Sequence, residues 1–303
     1  MKNIVILGGN GMLGYMLVDY LSKNDIINTT ATVRSLKDNQ DIINKYKNVK
    51  WVEFNVGDDL SVIDGCEYII NAIGTTKPRI DENNLDSIKN AIEVNSVFPY
   101  DLAIRTSTNG QQVIQILTDC VFSGTYQCGD CYTEKSYKDA TDIYGKSKIL
   151  GEVVSRNVYN LRCSIIGPEF KRKQFLLEWV RNQHTNVILN GFSNHYWNGI
   201  TTLHFAKICE SIIVNELKPS NSIQHIAPSN VISKLDLIRC ISNCFDRKDI
   251  VINEDTTNFR NMMLGTNFDV SNDFIWKITG YELPPTIEKM VEELVTYINT
   301  MEE

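Results

Sequence analysis

Tyr144 and Lys148 stand at i and i+4 in Tyr144-Gly145-Lys146-Ser147-Lys148, within a segment that Asp142 is placed to cap as a helix, so both side chains project from one face. A free phenol titrates near about 10 and is a poor proton donor to a developing alkoxide at neutral pH unless a cation stabilises the phenolate. Lys148 is placed to be that cation. Thr118 closes an apolar run and can hydrogen-bond the same oxygen. These three side chains suit protonation of a ketone oxygen as the ketone is reduced. A Tyr-x-x-x-Lys pair also recurs by chance on amphipathic surface helices, so its weight depends on what accompanies it.

A second set lies at the start of the chain. Gly8-Gly9-Asn10-Gly11-Met12-Leu13-Gly14 has the spacing G-x-x-G-x-x-G and falls between an apolar run, Ile4-Val5-Ile6-Leu7, and a segment with apolar residues at helical spacing. Residues without side chains let backbone N–H groups approach a pyrophosphate, and a helix N-terminus adds partial positive charge. Gly14 allows helix and strand to pack closely. Asn10, Met12 and Leu13 complete this candidate dinucleotide turn. Where the second strand ends, a cofactor with a free 2′-hydroxyl would usually meet a carboxylate, but the sequence reads Thr32-Val33-Arg34-Ser35. Arg34 can pair with a 2′-phosphate, which favours NADP(H); if Arg34 is only a solvated arginine, NAD(H) is the alternative.

Such residues need a scaffold that brings strand ends together. Strand-like runs at 4–7, 29–33, 49–54, 68–70, 113–117 and 157–161 alternate with segments of helical periodicity such as 85–105 and 142–155. This predicts an α/β fold with a Rossmann-like, doubly wound parallel sheet. After Gly167-Pro168 the pattern is less regular: a helix over 174–182, an irregular stretch over 190–199, a helix over 203–214, and a C-terminal helix after Pro284-Pro285. The expected division is a dinucleotide-binding domain over 1–166, completed by part of 200–228, and a smaller α/β substrate-capping domain over 167–303.

Composition narrows the partners. The 303 residues carry a net charge of −7 and no basic block able to neutralise a run of phosphates, so nucleic acid is excluded as an expected partner. No apolar stretch is long enough to span a membrane. The uncharged start superficially resembles a signal peptide, but Gly8, Gly9, Gly11 and Gly14 interrupt it. Eight scattered cysteines suggest reduced thiols and a cytoplasmic setting. Cys128-Gly129-Asp130-Cys131 lacks a second Cys-x-x-Cys, Cys240 and Cys244 suit a helix core, and His204 suits packing within a helix, so no metal site is expected. Lys171-Arg172-Lys173 suits either a substrate diphosphate or a solvated surface.

As a set, the motifs resemble the extended short-chain dehydrogenase/reductases. The glycine turn is joined by Asn71-Ala72-Ile73-Gly74, Asn95, Thr118-Asp119-Cys120-Val121-Phe122-Ser123-Gly124, Tyr144 to Lys148 with Gly151-Glu152, Leu161-Arg162-Cys163-Ser164, and Trp197-Asn198-Gly199-Ile200-Thr201-Thr202. Within that family the chain is most similar to the dTDP-4-dehydrorhamnose reductase group. The resemblance implies Thr118, Tyr144 and Lys148 as the catalytic set. It also implies a nicotinamide cofactor at Gly8 to Gly14 with Asn71, Ala72, Gly74 and Asn95, and Trp197 and Asn198 towards the substrate. The implied substrate is a dTDP- or UDP-linked 4-keto-6-deoxy sugar, with or without a 2-acetamido group, used in deoxysugar and polysaccharide biosynthesis.

The chain also departs from the family pattern. Tyr15-Met16 replaces the acidic residue that some members use for a divalent metal at a dimer contact, so neither is expected from that motif and a homodimer stays open. Cys120 replaces a tyrosine and provides no carboxyl group, which disfavours a dehydratase. Cys120 lies two residues beyond Thr118 and so on the same side of an extended segment. Because a 4-ketone acidifies C3 and C5, this thiol, with His184 or His195 opposite, makes a 3- or 5-epimerase/reductase the alternative. Related epimerase-reductases of GDP-sugars resemble this arrangement. A non-catalytic NADP-binding regulatory subunit is the rival from another class.

Overall fold

Ile4, Val5, Ile6 and Leu7 are all fully buried, which requires cover on both faces of their strand. Ile4 and Ile6 join one apolar cluster, Val5 and Leu7 another, as the period-two alternation of a strand dictates. The structure, a computed structural model, describes residues 1–126 and 130–302.

The first half alternates β1 (Lys2–Leu7), α1 (Met12–Leu21), β2 (Ile27–Val33), α2 (Gln40–Lys45), β3 (Lys50–Glu53), β4 (Tyr68–Asn71), α3 (Leu85–Ile92), α4 (Phe98–Ser107), β5 (Gln112–Leu117), α5 (Ile143–Leu150) and β6 (Val158–Arg162). The second half contains β7 (Ile165–Ile166), α6 (Leu176–Arg181), β8 (Ile188–Phe192), β9 (His195–Trp197), β10 (Ile200–Thr201), α7 (Thr202–Val214), β11 (Gln224–His225), β12 (Ile232–Ser233), α8 (Lys234–Cys244), β13 (Val251–Asp255), β14 (Arg260–Met262), α9 (Asp269–Ile278) and α10 (Ile287–Glu302). The main sheet runs β11-β6-β5-β4-β1-β2-β3 with every pair parallel. Strand order reverses beside β1, so the glycine turn opens at the switch point where ligands enter doubly wound sheets. This is the Rossmann-like architecture expected from the alternation of elements.

Three local expectations are corrected. Residues 85–105 are not one uniform helix, because a π turn over Glu93–Val97 separates α3 from α4 and carries Asn95. The helix expected over 142–155 stops at Leu150. Gly151 there approaches the backbone so closely that a Cβ would lie 1.9 Å from the Asn95 carbonyl oxygen. The stretch 190–199 is not irregular, since it holds the end of β8 and all of β9, paired with β13, β12 and β14. Its glycine misleads: Gly191 sits in β8 because α8 packs onto it, and a Cβ would lie 2.6 Å from Leu235 Cδ1. Among the described residues, no helix is long and apolar enough to cross a membrane.

Candidate active site

The turn after β1 is built around close backbone approach. Gly8 adopts a left-handed φ of 84°, and a Cβ on Gly14 would lie 2.0 Å from the Gly8 carbonyl oxygen. The Thr32 hydroxyl accepts from Gly8 N at 3.0 Å, and the Thr32 carbonyl accepts from Gly9 N at 2.8 Å, which ties the turn to β2. A cavity of about 500 Å³ opens over this turn, lined by Gly8, Asn10, Gly11, Arg34, Ala72 and Gly74 among others. A second cavity of about 390 Å³ adjoins it and shares Gly11 and the Ala72 to Thr75 segment. That second cavity holds Met12, Leu13, Asn95, Thr118, Cys120, Tyr144, Lys148 and Trp197. Residues spread over almost two hundred positions of sequence therefore face one continuous cleft. Glycines that a side chain would obstruct, beside the N-terminus of α1, are a fitting cradle for a dinucleotide.

Asp142 caps α5 as expected, its Oδ1 accepting from Gly145 N at 2.8 Å, and this places Tyr144 and Lys148 one turn apart. Gly145 is required as well, because a Cβ would lie 2.3 Å from Ala140 Cβ and 2.6 Å from the Cys120 carbonyl oxygen. Thr118 caps the 3-10 turn over Asp119–Val121, its Oγ1 accepting from Cys120 N at 3.1 Å. Burial, followed by the nearby Cys120, holds the Tyr144 phenol above its ordinary range, while a hydrogen bond with Thr118 pulls the other way. Desolvation is thus the largest influence on the phenol in the resting protein. Lys148 itself is buried, donates to the Ile116 carbonyl at 3.4 Å, and is lowered by desolvation to about 8. Burial pushes the Cys120 thiol up to about 12, so it rests protonated.

Other expected site residues are placed differently. The amide of Asn71 donates to Gln115 Oε1 at 2.8 Å and accepts from Ile73 N at 3.1 Å, so it braces β4 against β5 and lines neither cavity. Gly14 also lines neither; its role is the close packing just described. Asn198 pins the backbone of Leu264 through both of its amide atoms, at 2.7 and 2.8 Å, and is absent from the cleft. Asn95 reaches the cleft, but its side chain is engaged with Thr75 N and O at 2.9 Å each and with Ser147 Oγ at 3.0 Å, so it positions the β4–α3 loop on α5. Neither His184 nor His195 lines the cleft beside Cys120. His195 stacks on Phe192 with ring centroids 4.2 Å apart and bonds the Asn258 carbonyl.

Lys234, at the start of α8, shares the cleft with Cys120, Tyr144 and Lys148. Its Nζ lies 4.8 Å from the centre of the Trp197 ring, and burial lowers it to about 8, with Asp119 and Cys120 acting to raise it. Sequence reasoning missed Lys234, because no motif marks the first turn of a helix so far from Tyr144. Of Lys171-Arg172-Lys173, Arg172 lines the glycine-turn cavity, Lys173 lines a separate hollow with Tyr15 and Glu178, and none of the three lines the cleft that holds Tyr144. His204 is a packed helical residue, bonded to Thr201 Oγ1 at 2.6 Å and Tyr281 OH at 2.8 Å. Cys128 lies outside the described residues, and among those described no group of three or more His, Cys, Asp or Glu is placed to hold a metal ion.

A family model described as the RmlD substrate binding domain matches residues 1–259. The chain belongs to that family. This RmlD-family chain is also 25% identical over 158 residues to the spore coat polysaccharide biosynthesis protein SpsK of Bacillus subtilis, an alignment covering 52% of this chain and 49% of that one. The match thus spans about half the length of that relative. Among solved structures, it is similar to a dTDP-4-dehydrorhamnose reductase of Clostridium acetobutylicum, with 18% identity, a TM-score of 0.71, and coverage of 98% of this chain and 100% of that one. It is likewise similar to the Bacillus anthracis dTDP-4-dehydrorhamnose reductase solved with NADP, with 16% identity, a TM-score of 0.69 and the same coverages. At these identities the likeness to solved structures establishes the fold.

Proposed function

We propose that the chain uses NADPH to reduce the C4 ketone of a dTDP- or UDP-linked 4-keto-6-deoxy sugar, in the service of a cell-surface polysaccharide. The observation that carries this reading is that Thr118, Tyr144 and Lys148 line a cleft continuous with the glycine turn. The family and the NADP-bound neighbour support it. NADPH held by the turn, Arg34 and the Ala72 to Thr75 segment would supply a hydride. NAD(H) is the alternative cofactor if Arg34 makes no phosphate contact.

The chain's own contribution is acid catalysis and orientation. Tyr144 remains a protonated phenol at neutral pH and donates its proton to the C4 oxygen as that oxygen gains charge. Thr118 Oγ1, bonded to the Cys120 amide, is fixed to orient the same oxygen. Lys148, one turn from Tyr144 in the same cleft, opposes the charge of the forming phenolate and would hold the nicotinamide ribose of a bound cofactor. Trp197 forms an apolar wall for the sugar. On this reading residues 1–166, completed by part of 200–228, form the cofactor-binding domain, and residues 167–303 form mainly the substrate-binding domain.

An epimerase step before reduction is a second reading, favoured by the presence of Cys120 in the same cleft with Lys234 as its neighbour. A purely regulatory role is opposed by the assembly of all three catalytic candidates in one cleft. Incubating the purified protein and NADPH with a panel of dTDP- and UDP-linked 4-keto sugars in D₂O, with products read by NMR, separates these readings. Reduction at C4 is expected. Deuterium at C3 or C5, lost in Cys120→Ser while reduction persists, would add epimerisation. Absence of NADPH oxidation across the panel would contradict the enzyme reading.

A further inference from the structure

Three arginines face the cavity over the glycine turn, and each comes from a different part of the chain. Arg34 follows β2, Arg79 ends the 3-10 turn over Lys77–Arg79 after β4, and Arg172 lies between β7 and α6. The Arg79 backbone N–H donates to the Thr76 carbonyl at 2.8 Å, but none of the three guanidinium groups makes a hydrogen bond or salt bridge with a described residue. Cations gathered at one cavity without counter-ions repel one another, and the Arg79 guanidinium is disfavoured by desolvation first and then by Arg172 and Arg34. Glu169 opposes that repulsion at Arg79, but it is buried and its Oε2 already accepts from Gln174 N at 2.5 Å and Phe175 N at 2.6 Å.

Arg172 and Lys173 both adopt left-handed φ values, 72° and 48°, although neither is glycine. The flanking Glu169 wraps the turn from below, and Lys171 anchors it above by bonding the Asp38 carbonyl and Asn39 Oδ1, the latter at 3.0 Å. Asn39 Oδ1 also accepts from Asn10 of the glycine turn at 2.8 Å. Lys171 therefore fastens this segment to the cofactor half of the molecule, with Arg172 projecting beside Arg34 and Arg79.

We propose that Arg172 closes a three-arginine site with Arg34 and Arg79 for the 2′-phosphate of an adenosine ribose, so that a 2′-phosphorylated dinucleotide is gripped from both halves of the chain. This rests on the reading that the glycine-turn cavity binds a dinucleotide. A phosphate monoester carries about −1.5 to −2 charges at neutral pH and offers three acceptor oxygens, which suits several guanidinium groups better than one. The pyrophosphate common to NAD and NADP is the other phosphate within the same ligand, and the test distinguishes the two.

Calorimetric titration of wild type, Arg34→Ala and Arg172→Ala with NADP⁺, NAD⁺ and 2′,5′-ADP provides that test, and the exposed position of Arg172 makes its removal compatible with folding. Arg172→Ala is expected to weaken NADP⁺ and 2′,5′-ADP about tenfold and NAD⁺ less than twofold. Trypsin, which cuts after Lys171, Arg172 and Lys173, should be slowed on wild type by NADP⁺ more than by saturating NAD⁺. Equal weakening of both dinucleotides would assign Arg172 to the pyrophosphate, and no weakening would leave it a solvated side chain; either overturns the proposal while leaving the dinucleotide reading intact. Failure of wild type to bind either dinucleotide would overturn that reading itself.

Discussion

Tyr144→Phe removes one oxygen and leaves the ring in place, so it isolates the proton donor from the packing around it. With whichever sugar is reduced, turnover should fall about 10²- to 10⁴-fold, the range typical of a lost general acid, with NADP⁺ affinity and thermal midpoint unchanged. Wild-type turnover in this variant would remove Tyr144 from the mechanism. Lys148 carries a different cost. Its proton is held less tightly in the folded chain, near 8, than in the unfolded one, near 10.5, so stability rises with pH between those values. At pH 7 the penalty is present in full, on the order of 3 kcal/mol. Lys148→Met should therefore raise the urea midpoint at pH 7, lose its advantage as the pH approaches 10.5, and be inactive. A lower midpoint at pH 7 would show that its surroundings support the ammonium. At this scale residue type and spacing single out Thr118, Tyr144, Lys148 and Arg34, and the structure places all four along the two adjoining cavities. The sequence also points to Asn71 and Asn198, which line neither cavity and bond their neighbours instead, because an amide beside a strand end reads the same in either setting.

At the scale of elements, the junction between β1 and α1 allows no side chain on the helix side. A Cβ on Gly14 would sit 2.0 Å from a backbone oxygen of the turn, which a rotamer change cannot relieve. Gly14→Ala should shift the turn, lower the thermal midpoint by several degrees and weaken NADP⁺ at least tenfold. Unchanged melting and binding would mean that the turn yields at no cost. The same junction was legible in advance, because a run of four apolar residues, a glycine cluster and a helical period leave few other structures. The π turn that carries Asn95 was not legible, since one extra residue in a helical turn barely disturbs the apolar pattern across 85–105. Nor were β8 and β9, whose short strands take their register from partners 35 to 65 residues later.

At the scale of the whole molecule, a buried charge network ties β6 to the end of α5 and to β11, linking residues that lie up to 73 positions apart in the sequence. Arg162 of β6 is fully buried, pairs with Glu152 just after α5, and contacts Nε2 of His225 in β11 at 2.8 Å. Lys138 also pairs with Glu152. Desolvation and then the Arg162 cation lower His225 to about 4, so it stays neutral and bonds the Gly265 carbonyl through Nδ1 at 2.7 Å. Gly151-Glu152 and Leu161-Arg162 read in the sequence as separate family motifs, and only the fold shows that they form one ion pair. Glu152→Gln leaves Arg162 without its counter-ion and should cost about 3–5 kcal/mol of unfolding free energy in urea titration. A loss below about 1 kcal/mol would show that water or His225 takes over.

The central claim is hydride delivery to C4 with Tyr144 as the acid. It is tested most directly with NADPH carrying deuterium at the transferable position of its nicotinamide, turned over with the accepted nucleotide-linked 4-keto sugar and analysed by NMR. One deuterium at C4 of the product, absent with Tyr144→Phe under the same conditions, is the predicted result. Product without deuterium at C4, or labelled product formed equally well by Tyr144→Phe, would contradict the account.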